Sequence, residues 1–374
     1  MNKRSYGSGN IIERAHGVFL IRYRDNAGKR HNETVKGNRK KAEAELTKRR
    51  ISMETGSFSG KKKLTVGAYL QSWLDTYATT NCTSKTVQGY KQSINCYTGP
   101  IAGITLQKLD ATHIQPIYAG MIKRGLSNRT VDALHKALNI ALNTAVKQGT
   151  LKRNILDSVI APKVAKKEVE VWDSETRVKA MTVLRESQYG DFYQLGLMTG
   201  MRRGELAGLK WANVNLDNQQ LQVVNTLQRI TGQGLMNGQP KTERSRRSIA
   251  LSVDTVALLH KIRGRQITQK LEVIDAWTDS GYVLTDASGM PVDPNRATRA
   301  FKKVVATAGL PKLTIHDLRH THATILLEQG VNPKVVSERL GHASVATTMD
   351  IYSHVLPDMQ EKAALAIDAA LAPE

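Results

Sequence analysis

Apolar and polar residues alternate between positions 11 and 35 in the way strands require. Ile11-Ile12 opens a short strand and Val18-Phe19-Leu20-Ile21-Arg22-Tyr23-Arg24 forms a second. Asp25-Asn26-Ala27-Gly28 turns the chain, and Lys29 to Val35 returns antiparallel. From Asn38 to about Met53, Ala, Glu, Lys and Arg predict a helix. A Gly-, Ser- and Lys-rich stretch, 56–63, reads as a flexible basic linker. The period then becomes helical. Thr65 caps a segment with Val66, Tyr69, Leu70, Trp73, Leu74 and Tyr77 on one face, spaced i, i+3, i+4, i+7. Ser84 caps a second helix through Tyr90 and Ile94, which Gly99-Pro100 interrupts. Asp110 caps a third, ending near Gly125. The longest begins at Ser127 or Asn128, carries Val131, Leu134, Leu138, Leu142 and Val146, and closes at Gly149. Residues 153–171 show no clear element and read as a second, basic connector.

From Asp173 the pattern is mixed. Helices are predicted at about 174–186 and from Phe192 to Met198, the latter ending at Thr199-Gly200. A strand spans Gln220 to Gln228, a Gly-rich turn follows (Gly232, Gly234, Gly238), and Arg247 to Leu251 forms another strand. Asp293-Pro294 starts a helix to about Ala308. Further helices are expected at 316–329, at 333–340 (Asn332 cap, Pro333 at the first position, Gly341 closing) and at 345–353 behind Ser344. The Ala-rich tail places Met359, Ala363, Ile367 and Leu371 on one helical stripe. Such a tail can close on its own domain or on a neighbouring copy.

These patterns divide 374 residues into three expected domains. They are a three-stranded sheet plus helix at 1–60, an all-helical domain at 65–152, and a mainly helical α+β domain with its tail helix at 170–374. Composition narrows their function. The net charge is +21 and the pI about 9.9, which favours a polyanion, above all nucleic acid. Residues 1–63 hold 17 Lys and Arg against 6 Asp and Glu, about half of the excess. On the small sheet, Arg22, Arg24, Lys29 and Arg30 are the expected groove contacts. On the helical domain, Lys85, Lys91, Lys123, Arg124 and Arg129 are candidate phosphate contacts. No apolar run is long enough for a membrane span, and no hydrophobic segment follows the basic N-terminus, so a secretory signal is not expected. Cys82 and Cys96 lack metal-ligand company and read as reduced residues of a cytoplasmic protein.

The chemistry gathers near the end. His316 and Arg319 stand at i, i+3 on one helix. His342 follows a helix-ending glycine, and Tyr352 comes ten residues later on the next short helix. No Gly-x-Gly-x-x-Gly, Walker loop or metal-ligand spacing is present, so neither cofactor nor metal is expected. Ionising a phenol of pKa near 10 at neutral pH costs ~4 kcal/mol, which a nearby cationic cluster reduces. Attack by it on a phosphodiester adds negative charge, which planar two-pronged guanidiniums accommodate better than lysine. A covalent tyrosyl phosphate would conserve the bond energy for rejoining.

Five stretches, Thr199-Gly200-Met201-Arg202-Arg203-Gly204-Glu205-Leu206, Pro240-Lys241-Thr242, His316-Asp317-Leu318-Arg319-His320-Thr321, Leu340-Gly341-His342 and Asp350-Ile351-Tyr352, resemble in order and spacing the signature boxes of tyrosine recombinases of the phage integrase type. The small sheet resembles, in architecture only, the arm-type DNA-binding domain of phage and conjugative-element integrases, and 65–152 their core-binding domain. The resemblance implies that Tyr352 forms a 3′-phosphotyrosyl link and releases a 5′-hydroxyl. Arg202, Arg319 and His342 would hold the scissile phosphate, and Lys241 would be the general acid for the leaving 5′-oxygen. His316 would assist proton transfer and Glu205 would support the site; His320 and His322 read as structural. It further implies a homotetramer on double-stranded DNA with core-type and arm-type sites. A directionality factor and a host DNA-bending protein would be accessory partners, and the bound enzyme would be nucleoid-associated. The alternatives are a type IB topoisomerase, which uses similar chemistry on one duplex, and a non-catalytic DNA-binding regulator, for which a broken catalytic set would be the mark.

Overall fold

The computed structural model describes residues 9–25, 28–54, 64–165, 170–238, 246–342 and 344–352, with residues 364–365, 367–368 and 371 of the tail. At Ile274, Thr347, Asp350, Ile351 and Tyr352 only the backbone is described. The chain divides into two compact units, Met1–Ala165 and Lys166–Glu374.

In the first unit, β1 (Asn10–Ala15), β2 (Val18–Arg24) and β3 (Arg30–Lys36) form an antiparallel sheet in sequence order. Alternation buries Phe19, Ile21 and Tyr23 with Val35. α1 (Arg39–Glu54) adds Ala42, Leu46 and Met53 to the same cluster. The opposite parity stays open to solvent and carries Arg22, in register with Asn10 and Asn32, and Arg24, in register with Arg30. Lys29 precedes β3, in the turn, and its backbone N–H donates to Asp25 Oδ1.

The helical part begins with α2 (Val66–Trp73), whose first turn Thr65 caps by accepting from the Ala68 N–H. The expected apolar face holds as far as Leu74, but Tyr77 is exposed and Ala78 is buried. A π-helical turn, Leu74–Ala78, falls here, and the Tyr77 ring lies at the edge of the core, stacked on Trp73 with centroids 6.0 Å apart. A last turn, α3 (Thr79–Asn81), ends this helix. Thr83, not Ser84, caps α4 (Ser84–Tyr97). α5 (Ala111–Lys123) starts at Asp110, and α6 (Asn128–Lys147) starts at Ser127. The stretch expected to lack structure contains a 3₁₀ turn, Ile155–Ser158, which puts Leu156 and Val159 into the helical core. One turn is too short to show periodicity. Both cysteines are free.

In the second unit, Asp173 caps α7 (Ser174–Arg185) and α8 (Gly190–Thr199) follows. After α9 (Arg203–Ala207), the strand expected at Gln220 to Gln228 is two strands in two sheets. β4 (Val214–Asn215), β5 (Gln220–Val223) and β8 (Arg247–Ala250) form one sheet in the order β4-β5-β8. β6 (Thr226–Ile230) pairs with β7 (Gly234–Gly238). Leu221, Val223 and Leu227 all fall on the buried parity, so alternation runs through the break and conceals it. Gly234 and Gly238, expected in a turn, are the ends of β7.

A 20-residue helix that the sequence pattern did not suggest, α10 (Val253–Glu272), follows β8. It is capped by Ser252 and buries Thr255, Leu258, Leu259 and Ile262. α11 (Pro294–Thr307), α12 (Ile315–Glu328), α13 (Pro333–Leu340) and α14 (Val345–Tyr352) complete the unit. Phe192, Tyr193, Leu206, Leu221, Ile249, Leu259, Phe301 and Leu318 lie in its main core. Each large side chain there contributes about 1.5–3 kcal/mol by leaving water. Within the described residues, no helix is long and apolar enough to cross a membrane. Of the tail stripe, Met359 and Ala363 lie outside the described residues; Ile367 and Leu371 are exposed.

Candidate active site

The site is assembled around the C-terminal end of α13. Asn332 caps that helix, Pro333 opens it, and Gly341 closes it in the left-handed region at φ 66°. The N–H groups of Gly341 and His342 bond back to Glu338 O and Ser337 O. The next free carbonyls, at the negative end of the helix dipole, would be orphaned without donors. Three arginines from three other elements supply them. Arg247 Nε donates to Arg339 O at 2.6 Å, Arg319 Nη2 to Leu340 O at 2.6 Å, and Arg202 Nη2 to Gly341 O at 3.0 Å.

Arg202 reaches this point because α8 ends at Gly200, also left-handed at φ 65°. A Cβ there would lie 2.6 Å from His322 Cδ2 and 2.7 Å from Leu340 Cδ2, so the close approach of α8, α12 and α13 needs glycine. The turn buries Met201 and sets Arg202 at the start of α9. Glu205, only 2% exposed, accepts the Arg202 backbone N–H at Oε2 (2.9 Å) and Arg202 Nη1 at Oε1 (2.8 Å). The Arg202 side chain remains 36% exposed. Arg319, on α12 and 3% exposed, also donates Nη1 to Gly200 O at 2.8 Å. Both guanidiniums are therefore pinned through adjacent carbonyls of one helix end.

His342 follows directly. Its Nδ1 lies 2.8 Å from Thr348 Oγ1, and Thr348 is fully buried on α14, one helical turn before Tyr352. The hydrogen bond ties the helix that bears Tyr352 to the residue that follows the arginine-held end of α13. His316 and His320 meet edge to face with ring centroids 5.0 Å apart. His322 Nδ1 lies 2.8 Å from Leu197 O, and Arg339 Nε donates to its Nε2 at 3.1 Å. A carbonyl only accepts and a guanidinium only donates, so the ring carries its proton on Nδ1. That is a structural role, as the sequence suggested.

The surplus of cations sets the titration. Burial alone would raise the Glu205 carboxyl, but the Arg247 charge and hydrogen bond, with those of Arg202, reverse this and hold it below the usual range. Burial and then the Arg319 and Arg202 charges push His342 down to about 4. Burial and the charge of His316 take His320 to about 4, and burial with Arg339 does the same for His322. His316 keeps an exposed edge, but the protein packed around its ring, with the Arg319 charge, also lowers it. All four rings are thus neutral at pH 7. In the unfolded chain these groups protonate near 6.5; in the folded chain His320, His322 and His342 resist until about 4. Their contribution to stability is present above 6.5 and lost as pH falls from 6.5 toward 4. The melting temperature is expected to drop steadily from pH 7 to 5, and a flat profile over that range would contradict this electrostatic picture.

The remaining expected residues fall as follows. Lys241, with Pro240 and Thr242, lies outside the described residues, and of Tyr352 only the helical backbone is described. Lys85, Lys91, Lys123, Arg124 and Arg129 are exposed on the helical part of the first unit. Arg129 lines a groove of 690 Å³ between α4 and α6 with Tyr90, Tyr97 and Lys136. Arg124 lies over the Tyr97 ring at 5.7 Å. Sequence reasoning missed Lys136, Thr348, Arg339 and Arg247. For Arg247 a signal existed, because it shares the buried parity of β8 with Ile249.

Residues 174–359 match the model of the phage integrase family. A XerC-like tyrosine recombinase of Caldanaerobacter subterraneus subsp. tengcongensis is 28% identical over 91% of this chain and 92% of its own length. The ICEBs1 integrase of Bacillus subtilis is 28% identical over 71% and 72%. Among solved structures, the Tn1549 transposon integrase in complex with a circular intermediate DNA superposes with a TM-score of 0.68 at 20% identity. That match covers 81% of this chain and 99% of the other. A lambda integrase tetramer bound to a Holliday junction gives 0.57 at 18% identity, over 92% and 96%. The chain belongs to the phage integrase family and is a tyrosine recombinase.

Proposed function

We propose that the chain is the integrase of a mobile element, cutting and rejoining DNA strands at specific sites through a 3′-phosphotyrosyl intermediate. The observation that carries the residue assignments is the pair Arg202 and Arg319, fastened to Gly341 O and Leu340 O beside His342. The cluster holds more guanidiniums than carboxylates, so it favours an anion such as a scissile phosphate. The Tyr352 oxygen attacks phosphorus as its proton leaves, with His316, neutral at pH 7, assisting that transfer. The bond from phosphorus to the 5′-oxygen breaks, and Lys241 protonates the departing oxygen. The phosphate stays on the 3′ side, joined to Tyr352. Arg202 and Arg319 bind the non-bridging oxygens, where charge builds in the transition state. In the tautomer in which the Thr348 hydroxyl donates to its Nδ1, His342 carries its proton on Nε2 and donates a third bond. Attack by another strand's 5′-hydroxyl reverses the steps without an external energy source.

Four strands must be exchanged between two duplexes, one tyrosine for each, so four chains act together, where the DNA is. The helical groove with Arg129 and Lys136 suits a backbone contact. The open face of the small sheet, with Arg22, Arg24 and Arg30, suits a groove of a separate arm-type site. A directionality factor and a DNA-bending protein would act on that assembly. Two differently labelled duplexes carrying attachment sites test this reading. Strand exchange between them supports it, whereas relaxation of a supercoiled circle without exchange would indicate a topoisomerase. Removing residues 1–60 is expected to spare core-site cleavage and reduce integration; unchanged integration would refute the arm-site role.

A further inference from the structure

Arg247 lies at the end of β8, in register with Val223 of β5, and is nearly as buried as the core around it, its side chain 6% exposed. Two of its contacts differ in kind. Nη2 donates to Glu205 Oε2 at 2.9 Å, and Nε donates to Arg339 O at 2.6 Å. Glu205 is the carboxylate that grips Arg202, and Arg339 O belongs to the helix end whose next two carbonyls hold Arg319 and Arg202. One guanidinium thus stands beneath both phosphate-binding arginines. A buried carboxylate stays ionised only while cations compensate it, and Arg247 is the first of the charges that keep Glu205 low.

We infer that Arg247 is a positioning residue for the cleavage reaction. It fixes the charge and orientation of Glu205 and the end of α13, and through them the angle at which Arg202 and Arg319 meet the phosphate. It does not touch DNA itself. The inference rests on the proposed phosphotransfer chemistry and deepens it.

The test uses the full chain and a nicked suicide substrate whose scissile group is either an ordinary phosphodiester or an uncharged methylphosphonate. Loss of an outer-shell partner of a metal ligand costs about 10- to 100-fold, and by analogy Arg247→Met is expected to slow single-turnover cleavage of the phosphodiester by a similar factor. DNA affinity should be almost unchanged. The methylphosphonate removes the charge that the arginine pair neutralises, so on it the deficit should shrink to less than about 3-fold. An equal deficit on both substrates would mean a merely structural role and overturn the inference, as would no deficit at all. If Arg247→Met does not fold, Glu205→Gln/Arg247→Met carries the test, because it removes the unpaired buried charge. Measured against Glu205→Gln, its remaining deficit should again shrink on the methylphosphonate, and an equal deficit on both substrates would overturn the inference. Failure of the unaltered chain to form any adduct would instead remove the proposed function itself.

Discussion

Replacing Tyr352 with phenylalanine is expected to abolish the covalent protein–DNA adduct while leaving DNA binding nearly intact. The substitution deletes one oxygen at the end of a short helix, so little folding energy is at stake. The reaction loses its nucleophile outright, and the fall should be about 10⁴-fold or more. Trapping on a nicked substrate followed by denaturing electrophoresis measures it. A second polar residue substituting for the phenol would show as a surviving adduct and would remove Tyr352 from its role.

Arg202→Lys is expected to have the next largest effect. The charge is kept, but a lysine ammonium cannot hold Glu205 Oε1 and Gly341 O in the flat fork that Arg202 uses. The phosphate then meets a cation that is neither oriented nor two-pronged. Removing one preorganised donor to developing oxyanion charge costs about 10²–10³-fold in rate. The loss should appear in the cleavage step and hardly in binding, since one contact among many sets little of the affinity. Binding and cleavage falling by the same factor would show that Arg202 serves affinity instead. Arg202 is the better choice than Arg319 for this measurement. Arg319 is 3% exposed and holds both Gly200 O and Leu340 O, so its replacement would disturb folding as well.

Much of this arrangement was legible in the chain because local rules dominate there. Thr65, Asp110, Asp293 and Asn332 cap helices where the sequence places them, and Gly200 and Gly341 take the left-handed positions that only small residues tolerate well. Of the expected site residues, Arg202, Arg319 and His342 come together around the end of α13, whereas Lys241 and the Tyr352 side chain lie outside the described residues. What failed depended on partners distant in sequence. The strand expected at Gln220 to Gln228 divides because β5 pairs with β8 while β6 pairs with β7, choices no local pattern records. α10 went unread although Thr255, Leu258, Leu259 and Ile262 keep helical spacing, because its second half is mostly polar and exposes Ile267 and Leu271. Arg247 and Arg339 acquire meaning only when β8 and α13 are brought together.

The organisation explains how a single helix end can serve a reaction. The C-terminus of α13 is electronegative, attracts guanidiniums, and fixes three of them in sequence along Arg339, Leu340 and Gly341. His342 extends the row, and Thr348 ties it to the helix that ends with Tyr352. In the proposed reaction, phosphate binding and nucleophile placement meet at this hydrogen bond.

The most direct measurement is to trap the intact chain on a nicked attachment-site duplex, digest it, and sequence the DNA-linked peptide by mass spectrometry. The DNA is expected on Tyr352 through a 3′-phosphate, with a free 5′-hydroxyl on the released strand. Linkage to any other residue, or a 5′-phosphate joined to the protein, would contradict it.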